Sequence, residues 1–283
     1  MMKKGLVMEG GAMRGMFTAG VIDVFMEENI EFDGAIGVSA GATFGCNIKS
    51  KQIGRAFNYN CKYSSDYRYG SFKSWLKTGN IFDVDFCYKE IPEKLDIFDT
   101  KTFMDNPMDF YVVATDVETG EAAYHRCTDG KGEDLEWIRA SASLPVVSRI
   151  VNIGERKLLD GGVADSIPIR YFMSIGYDKN VVILTRSGEY VKGKDRLAPL
   201  CRLIYRRYPK LVRSICDRPD NYNACVEEIK KLESEGRIFV IRPKEELGIK
   251  RCEKDTSELK RVYELGRKAA RDNLDGLRRY LAE

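Results

Sequence analysis

The chain has 283 residues, 43% hydrophobic and 31% charged, with 25 glycines. That balance belongs to a globular protein able to bury about 75% of its unfolded-chain surface, and it excludes disordered, collagenous and coiled-coil classes. Lysine and arginine number 46 against 43 acidic residues, a net charge of +3, too even to point to nucleic acid.

Residues 4–9 (KGLVME) read as a strand that Gly10 and Gly11 break. The stretch 15–28 follows with helical spacing through Phe17, Val21, Val24 and Phe25. A second apolar run, Phe32 to Val38, reaches a turn at Ser39. Further strands are predicted over 110–117, 122–125, 157–159, 180–185 and 237–241. The first two of these form a hairpin around Glu118-Thr119-Gly120, where glycine supplies a positive φ. Strands alternating with helices predict an α/β fold, a mainly parallel central sheet with helices on both faces.

From about residue 192 the texture changes. Residues 192–218 read as a strongly basic helical segment interrupted at Pro209, and 222–235 and 254–282 read as further helices. The expected organisation is a core over residues 1–190. A helical C-terminal elaboration over 191–283 packs on the same domain and returns one strand, near 237–241, to the sheet.

Eight scattered cysteines with no C-x-x-C pair read as free thiols of a reducing compartment. The only histidine is His125, with no ligand cluster around it in sequence, which makes zinc a poor fit. The apolar run before Glu9 is too short for a signal peptide, and no stretch approaches the roughly 20 apolar residues of a membrane span. A cytoplasmic location is the expectation.

The sharpest motif is Gly37-Val38-Ser39-Ala40-Gly41, a G-x-S-x-G between a predicted strand and a predicted helix. A serine on such a turn projects its hydroxyl clear of the backbone, and glycines two residues either side prevent clashes. The helix that follows turns its N–H groups toward developing negative charge. The loop Glu9-Gly10-Gly11-Ala12-Met13-Arg14-Gly15 occupies a similar position, and its N–H groups could converge on a tetrahedral oxyanion or a phosphate. As a dinucleotide fingerprint it lacks the glycine that would stand at Ala12. A third motif, Leu158-Leu159-Asp160-Gly161-Gly162, places an aspartate at the carboxyl end of a strand, where α/β sheets gather ligands. His125 falls inside the predicted hairpin strand, a structural position. Chain order also argues against an α/β-hydrolase, because Ser39 follows only two strands. Asp160 is then the best remaining base.

Taken in order, Gly10–Gly15, Gly37–Gly41 and Asp160–Gly162 resemble the three signatures of the patatin-like phospholipases, and Ala140–Pro145 (ASASLP) is similar to a segment upstream of that family's aspartate. The resemblance covers residues 5 to about 185. The remainder, including Arg206-Arg207-Tyr208-Pro209 and the strand near Phe239, resembles the extension of a bacterial subgroup. It implies a serine lipid acyl hydrolase that cleaves carboxylic esters by a Ser–Asp dyad without a catalytic histidine. Ser39 would be the nucleophile and Asp160 its base. N–H groups of Gly10, Gly11 and Ala12 would form the oxyanion hole, supported by Arg14, Gly15, Gly37 and Gly41. No metal or organic cofactor is required. Two residues depart from the family pattern: Ala12 replaces a third glycine, and Glu9 stands where plant members have aspartate.

An ordinary aspartate, with a pKa near 3.9, is a poor acceptor for an alcohol proton, so Asp160 must be raised by burial. The basic segment 192–218, with Leu200, Leu203 and Ile204 among its cations, suits peripheral contact with an anionic membrane as well as a solvated helix face. A nucleotide- or phosphate-binding protein using Gly10–Gly15, and a non-catalytic lipid-binding module on the same fold, are the alternatives.

Overall fold

The computed structural model describes residues 2–195 and 197–282; Arg196, one cation of the basic segment, lies outside them. In chain order the strands are β1 (Lys4–Met8), β2 (Gly34–Val38), β3 (Asp109–Asp116), β4 (Ala122–Cys127), β5 (Val151–Ile153), β6 (Arg156–Asp160), β7 (Lys179–Ile183) and β8 (Ile238–Ile241). The helices are α1 (Gly15–Glu27), α2 (Ala40–Thr43), α3 (Cys46–Lys49), α4 (Arg55–Tyr63), α5 (Phe72–Thr78), α6 (Thr100–Asp105), α7 (Glu133–Ser141), α8 (Ile169–Ser174), α9 (Ala198–Ile204), α10 (Pro209–Ser234) and α11 (Thr256–Ala282). A π-helical segment, Phe86–Leu95, carries Pro92 inside it.

The strands form one sheet in the order β5-β6-β3-β2-β1-β7-β8, with β4 also on β3. Five strands, β3, β2, β1, β7 and β8, run parallel. The pairings β3–β4, β3–β6 and β5–β6 are antiparallel, so the sheet is mixed, with its parallel part central. Alternation along β1 sends Leu6 and Met8 to one face with α1, and Val7 to the other with residues of α8 and α10. Both faces are therefore covered, which explains why β1 and β2 read as unbroken apolar runs.

The predicted hairpin forms. Gly120 has φ +71°, and its N–H donates to the Asp116 carbonyl at 2.8 Å. The basic segment departs from its expected form. It is not one interrupted helix: residues 190–195 are irregular, α9 is seven residues long, and Pro209 opens α10 rather than breaking a helix. Proline suits that first helical position because its missing N–H has no partner to lose there. α11 lies along α1 in backbone contact: a Cβ on Gly20 would stand 2.1 Å from the Tyr263 carbonyl, and one on Gly266 2.0 Å from that of Phe17. Among the described residues no helix is long and apolar enough to cross a membrane.

Candidate active site

β3 brings the serine and the aspartate motifs together. β4 runs along one edge of β3 from Phe110 to Thr115, so β2 and β6 share the other edge end to end. Val38 sits opposite Val113, and Asp160 opposite the next residue, Ala114. The turn after β2 thus places Ser39 beside the end of β6.

Ser39 has φ +54° and ψ −118°, a conformation costly for a residue with a side chain. Three contacts hold it there. Its N–H donates to Ser141 Oγ at 2.8 Å, and its carbonyl accepts from Ala42 and Thr43 N–H at 3.0 and 2.9 Å. Gly37 and Gly41 permit the close packing beneath: a Cβ on Gly37 would stand 2.2 Å from the Gly41 carbonyl oxygen, and one on Gly41 2.4 Å from that of Met8. Gly15 packs likewise, where a Cβ would meet Ala40 and the Phe44 ring.

Asp160 is 1% exposed. Its N–H donates to the Ser143 carbonyl at 2.8 Å, and its Oδ1 accepts from Gly162 N–H at 2.8 Å. Oδ2 is buried without a hydrogen-bond partner. Burial pushes the carboxyl above its ordinary value, opposed by the positive charge of Arg218 and by Ser39. Ser39 therefore lies near enough to favour the ionised form, although no well-formed hydrogen bond closes onto Oδ2. The ASASLP string bridges the two motifs, with Ser141 on the serine and Ser143 on the aspartate. Sequence reasoning singled out the string but gave its serines no role, because their partners are distant in the chain.

The loop after β1 packs beside the serine turn, where a Cβ on Gly10 would stand 3.2 Å from Ser39 Cβ. Gly10 N–H points to the Ser166 carbonyl at 3.5 Å, while among the described residues no acceptor takes the N–H of Gly11 or Ala12. Ala12 has φ +48°, the left-handed region that favours glycine. Glu9 is buried and anchors the loop: one carboxylate oxygen accepts from Thr185 N–H at 2.5 Å and Oγ1 at 3.2 Å, the other from Tyr222 at 2.8 Å. Arg14 is largely buried, and burial together with the charge of Arg186 lowers its pKa.

A cavity of about 130 Å³ opens from Ser39 and Ala12 between Phe44, Tyr59, Tyr88, Ile91 and Ile138, a mainly apolar wall that also carries Arg55 and Arg251. A second, of about 150 Å³, shares Ala12, Phe82, Leu144 and Arg251 with it and extends to Leu197, Ile215 and Arg218.

His125 is on β4, outside both cavities. The fold adds a neighbour to the nearby Cys127: Asp134, nine residues on, so that His125, Cys127 and Asp134 bring ligand atoms within 4.8 Å of one another. Burial pushes the Cys127 thiol well above its ordinary value.

A family model described as Patatin-like phospholipase matches residues 6–173, and another, described as Domain of unknown function (DUF6363), matches residues 208–282. The chain is 29% identical over 98% of its length to uncharacterized protein YjjU of Escherichia coli (strain K12), spanning 79% of that protein. Against lysophospholipase nte1 of Aspergillus niger it is 26% identical over 97% of its length, but spans only 18% of that protein. The crystal structure of VipD from Legionella pneumophila aligns with a TM-score of 0.48 and 13% identity, covering 98% of this chain and 67% of that one. The phospholipase model covers more than half of the chain, including all three motifs: the chain belongs to the patatin-like phospholipase family.

Proposed function

We propose that the protein is a serine lipid acyl hydrolase that cleaves carboxylic ester bonds, with Ser39 as nucleophile and Asp160 as its base. The observation that carries this reading is Ser39 in a strained strand-to-helix turn beside a buried carboxylate with one unpartnered oxygen. Asp160 takes the hydroxyl proton as Ser39 Oγ attacks the ester carbonyl. The tetrahedral oxyanion is held by the N–H groups of Gly11 and Ala12, the loop's unengaged donors, and the alcohol leaves with a proton from Asp160. Water then attacks the acyl-serine with Asp160 again accepting the proton, and the acyl–Oγ bond breaks as that proton returns to Ser39 Oγ, releasing the carboxylic acid. The apolar cavity beside Ser39 suits an acyl chain.

A fluorophosphonate probe tests this directly. It should label the wild-type protein and not Ser39→Ala, and the variant should lose hydrolysis of a soluble acyl ester by several orders of magnitude. Retention of more than about a tenth of wild-type turnover would exclude Ser39 as nucleophile. Unlabelled wild-type protein that still binds lipid would instead be a binding module, and a thermal shift with nucleotide alone would favour the phosphate-loop reading of Gly10–Gly15.

Peripheral contact with an anionic membrane has its own support. α9 contains no acidic residue, exposes Leu200, Leu203 and Ile204, and is followed by exposed Arg206 and Arg207. α5 likewise exposes Phe72 and Leu76 beside Lys73 and Lys77. Apolar side chains among cations suit insertion at a negatively charged lipid surface.

A further inference from the structure

One face of α10 reaches both halves of the candidate site. Ser214, Arg218, Tyr222 and Cys225 follow one another at helical spacing and form a single stripe along it. Ser214 Oγ donates to the Gly120 carbonyl at 2.5 Å. The β3–β4 hairpin comes so close there that a Cβ on Gly120 would stand 2.6 Å from the Lys210 carbonyl oxygen. Arg218 abuts the aspartate turn, with Nη2 3.1 Å from where a Cβ on Gly162 would lie. Tyr222 is buried and donates its hydroxyl to Glu9 at 2.8 Å, at the start of the loop after β1. Cys225 Sγ lies 3.5 Å from the Ile167 carbonyl oxygen. The turns that follow β1, β3 and β6 are thus all tied to one helix.

The loop that bears Gly11 and Ala12 needs such a hold. Ala12 has φ +48°, and a strained backbone keeps its form only where its surroundings fix it. Ser166 links this loop to the aspartate turn, but loosely: its Oγ donates to the Gly162 carbonyl at 2.7 Å, while its own carbonyl faces the Gly10 N–H at a long 3.5 Å. The firmer anchor is the Glu9 side chain, shared between Thr185, just past β7, and Tyr222 on α10. Burial first, and then the charge of Glu9, push the Tyr222 phenol above its ordinary value, so its hydroxyl stays a donor throughout the neutral range.

We propose that Tyr222 is a positioning residue for the reaction: through Glu9 it holds the loop whose Gly11 and Ala12 N–H groups receive the oxyanion, while the same face of α10 holds the aspartate turn. This rests on the esterase reading above for its effect on rate, but not for the order it imposes on the loop. α10 then acts as a brace that keeps the oxyanion loop and Asp160 in alignment, although both come from the first 160 residues. The C-terminal region has a part in catalysis without touching the substrate.

Tyr222→Phe removes the hydroxyl and keeps the ring, and it is measured in two ways. On a soluble p-nitrophenyl ester kcat should fall roughly ten- to hundredfold, the cost of misplaced catalytic groups, with KM within about twofold of wild type. Hydrogen–deuterium exchange should quicken in the segment 9–15 and stay unchanged in the serine turn, 37–43. Tyr263→Phe is the control: it loses a buried hydroxyl bond to Asp23, 2.7 Å long, between α11 and α1, and should leave both kcat and exchange in 9–15 unchanged even if its melting temperature falls. Glu9→Gln, which leaves one acceptor where there were two, should shift both measurements in the same direction as Tyr222→Phe and serves in its place should that variant not fold. Unchanged kcat and exchange in folded Tyr222→Phe would overturn the proposal. So would a rise in KM alone, a loss of kcat without faster exchange in 9–15, or an equal loss of kcat in Tyr263→Phe. If the wild type hydrolyses no ester, yet Tyr222→Phe quickens exchange in 9–15 and Tyr263→Phe does not, the brace on the loop stands and the esterase reading fails.

Discussion

His125 Nε2 and Asp134 Oδ1 lie 2.7 Å apart, a contact that occupies the chain's one histidine. The imidazole also stacks on Trp137, with ring centres 4.8 Å apart. Asp134 Oδ2 accepts from the N–H groups of Thr128, Asp129 and Gly130 at 2.7, 2.9 and 2.9 Å. Burial works to raise the Asp134 carboxyl, but the His125 bond and those three N–H groups outweigh it and hold it below its ordinary value. A lowered folded pKa means stability that is present at neutral pH and lost as pH falls through that value. His125→Gln should therefore leave ester hydrolysis within about twofold of wild type while costing about 1.5–3 kcal/mol of stability. Steady-state rates beside urea melts check this. A thousandfold loss of turnover in folded protein would make His125 the base and the Ser–Asp assignment wrong.

Asp160→Asn should separate activity from stability in the opposite way. The raised carboxyl means that the folded chain binds a proton more tightly than the unfolded chain, so its ionisation near neutral pH works against folding. The amide removes that penalty and can still accept from Gly162. The variant should lose nearly all turnover yet melt at a higher temperature than wild type at pH 7, the difference shrinking as pH falls toward the ordinary carboxylate range. Wild-type turnover should itself fall with pH below the raised value. A lower melting temperature at pH 7 would contradict the assignment of burial as the dominant influence.

Ser141→Ala removes the acceptor that holds the Ser39 N–H. Ser141 acts through Ser39 and is a positioning residue, so the loss should fall on kcat, about tenfold, with KM little changed. A rise in KM alone would show that it shapes the substrate pocket instead.

Ala12→Gly should be unusually well tolerated. Alanine to glycine normally costs about 0.5–1 kcal/mol within regular structure, but relief of the left-handed backbone at Ala12 returns about 1–2 kcal/mol. Thermal melting should show no loss of stability, and hydrolysis should persist. A loss of the ordinary size would mean that the φ of +48° carries no strain.

Phe72→Ser and Leu203→Ser, on helices far apart in sequence, should each weaken sedimentation with phosphatidylglycerol vesicles, and more so together. Neutral phosphatidylcholine vesicles should bind less than the anionic ones, with the difference screened by salt. Unaltered binding in the double variant would remove these surfaces from any membrane contact.

The strands of the parallel part were legible because each is a short apolar run closed by glycine or a turn residue, as at Met8–Gly10 and Val38–Ser39. β5, three residues with Asn152 exposed at its centre, carries no such pattern. The region from Cys46 to Asp105 escaped as well. Its helices are short and rich in aromatic and charged residues, and one segment is a π-helix around Pro92. In the candidate site, the serine and aspartate were visible as local motifs. The supports of the site, Ser141 on Ser39, Ser143 on Asp160, and Thr185 and Tyr222 on Glu9, reach across 102, 17, 176 and 213 positions of sequence. No local pattern records such contacts, and the place of Arg218 on the second cavity was hidden for the same reason within a run that read as surface charge.

The backbone contact between α1 and α11 bears on how the chain could be dissected. α1 is buried from Gly15 to Phe25 on every side, an arrangement that needs a cover on its outer flank, and α11 lies against it there. A fragment ending near residue 190 would keep the motif residues Ser39 and Asp160 but bare part of that helix to water, along with the β7 edge that β8 now occupies. An exposed apolar helix and an open strand edge are the ingredients of aggregation. Attempts to excise a minimal hydrolase from the first two-thirds of the sequence should yield insoluble protein, and the last helix is best regarded as an outer wall of the first.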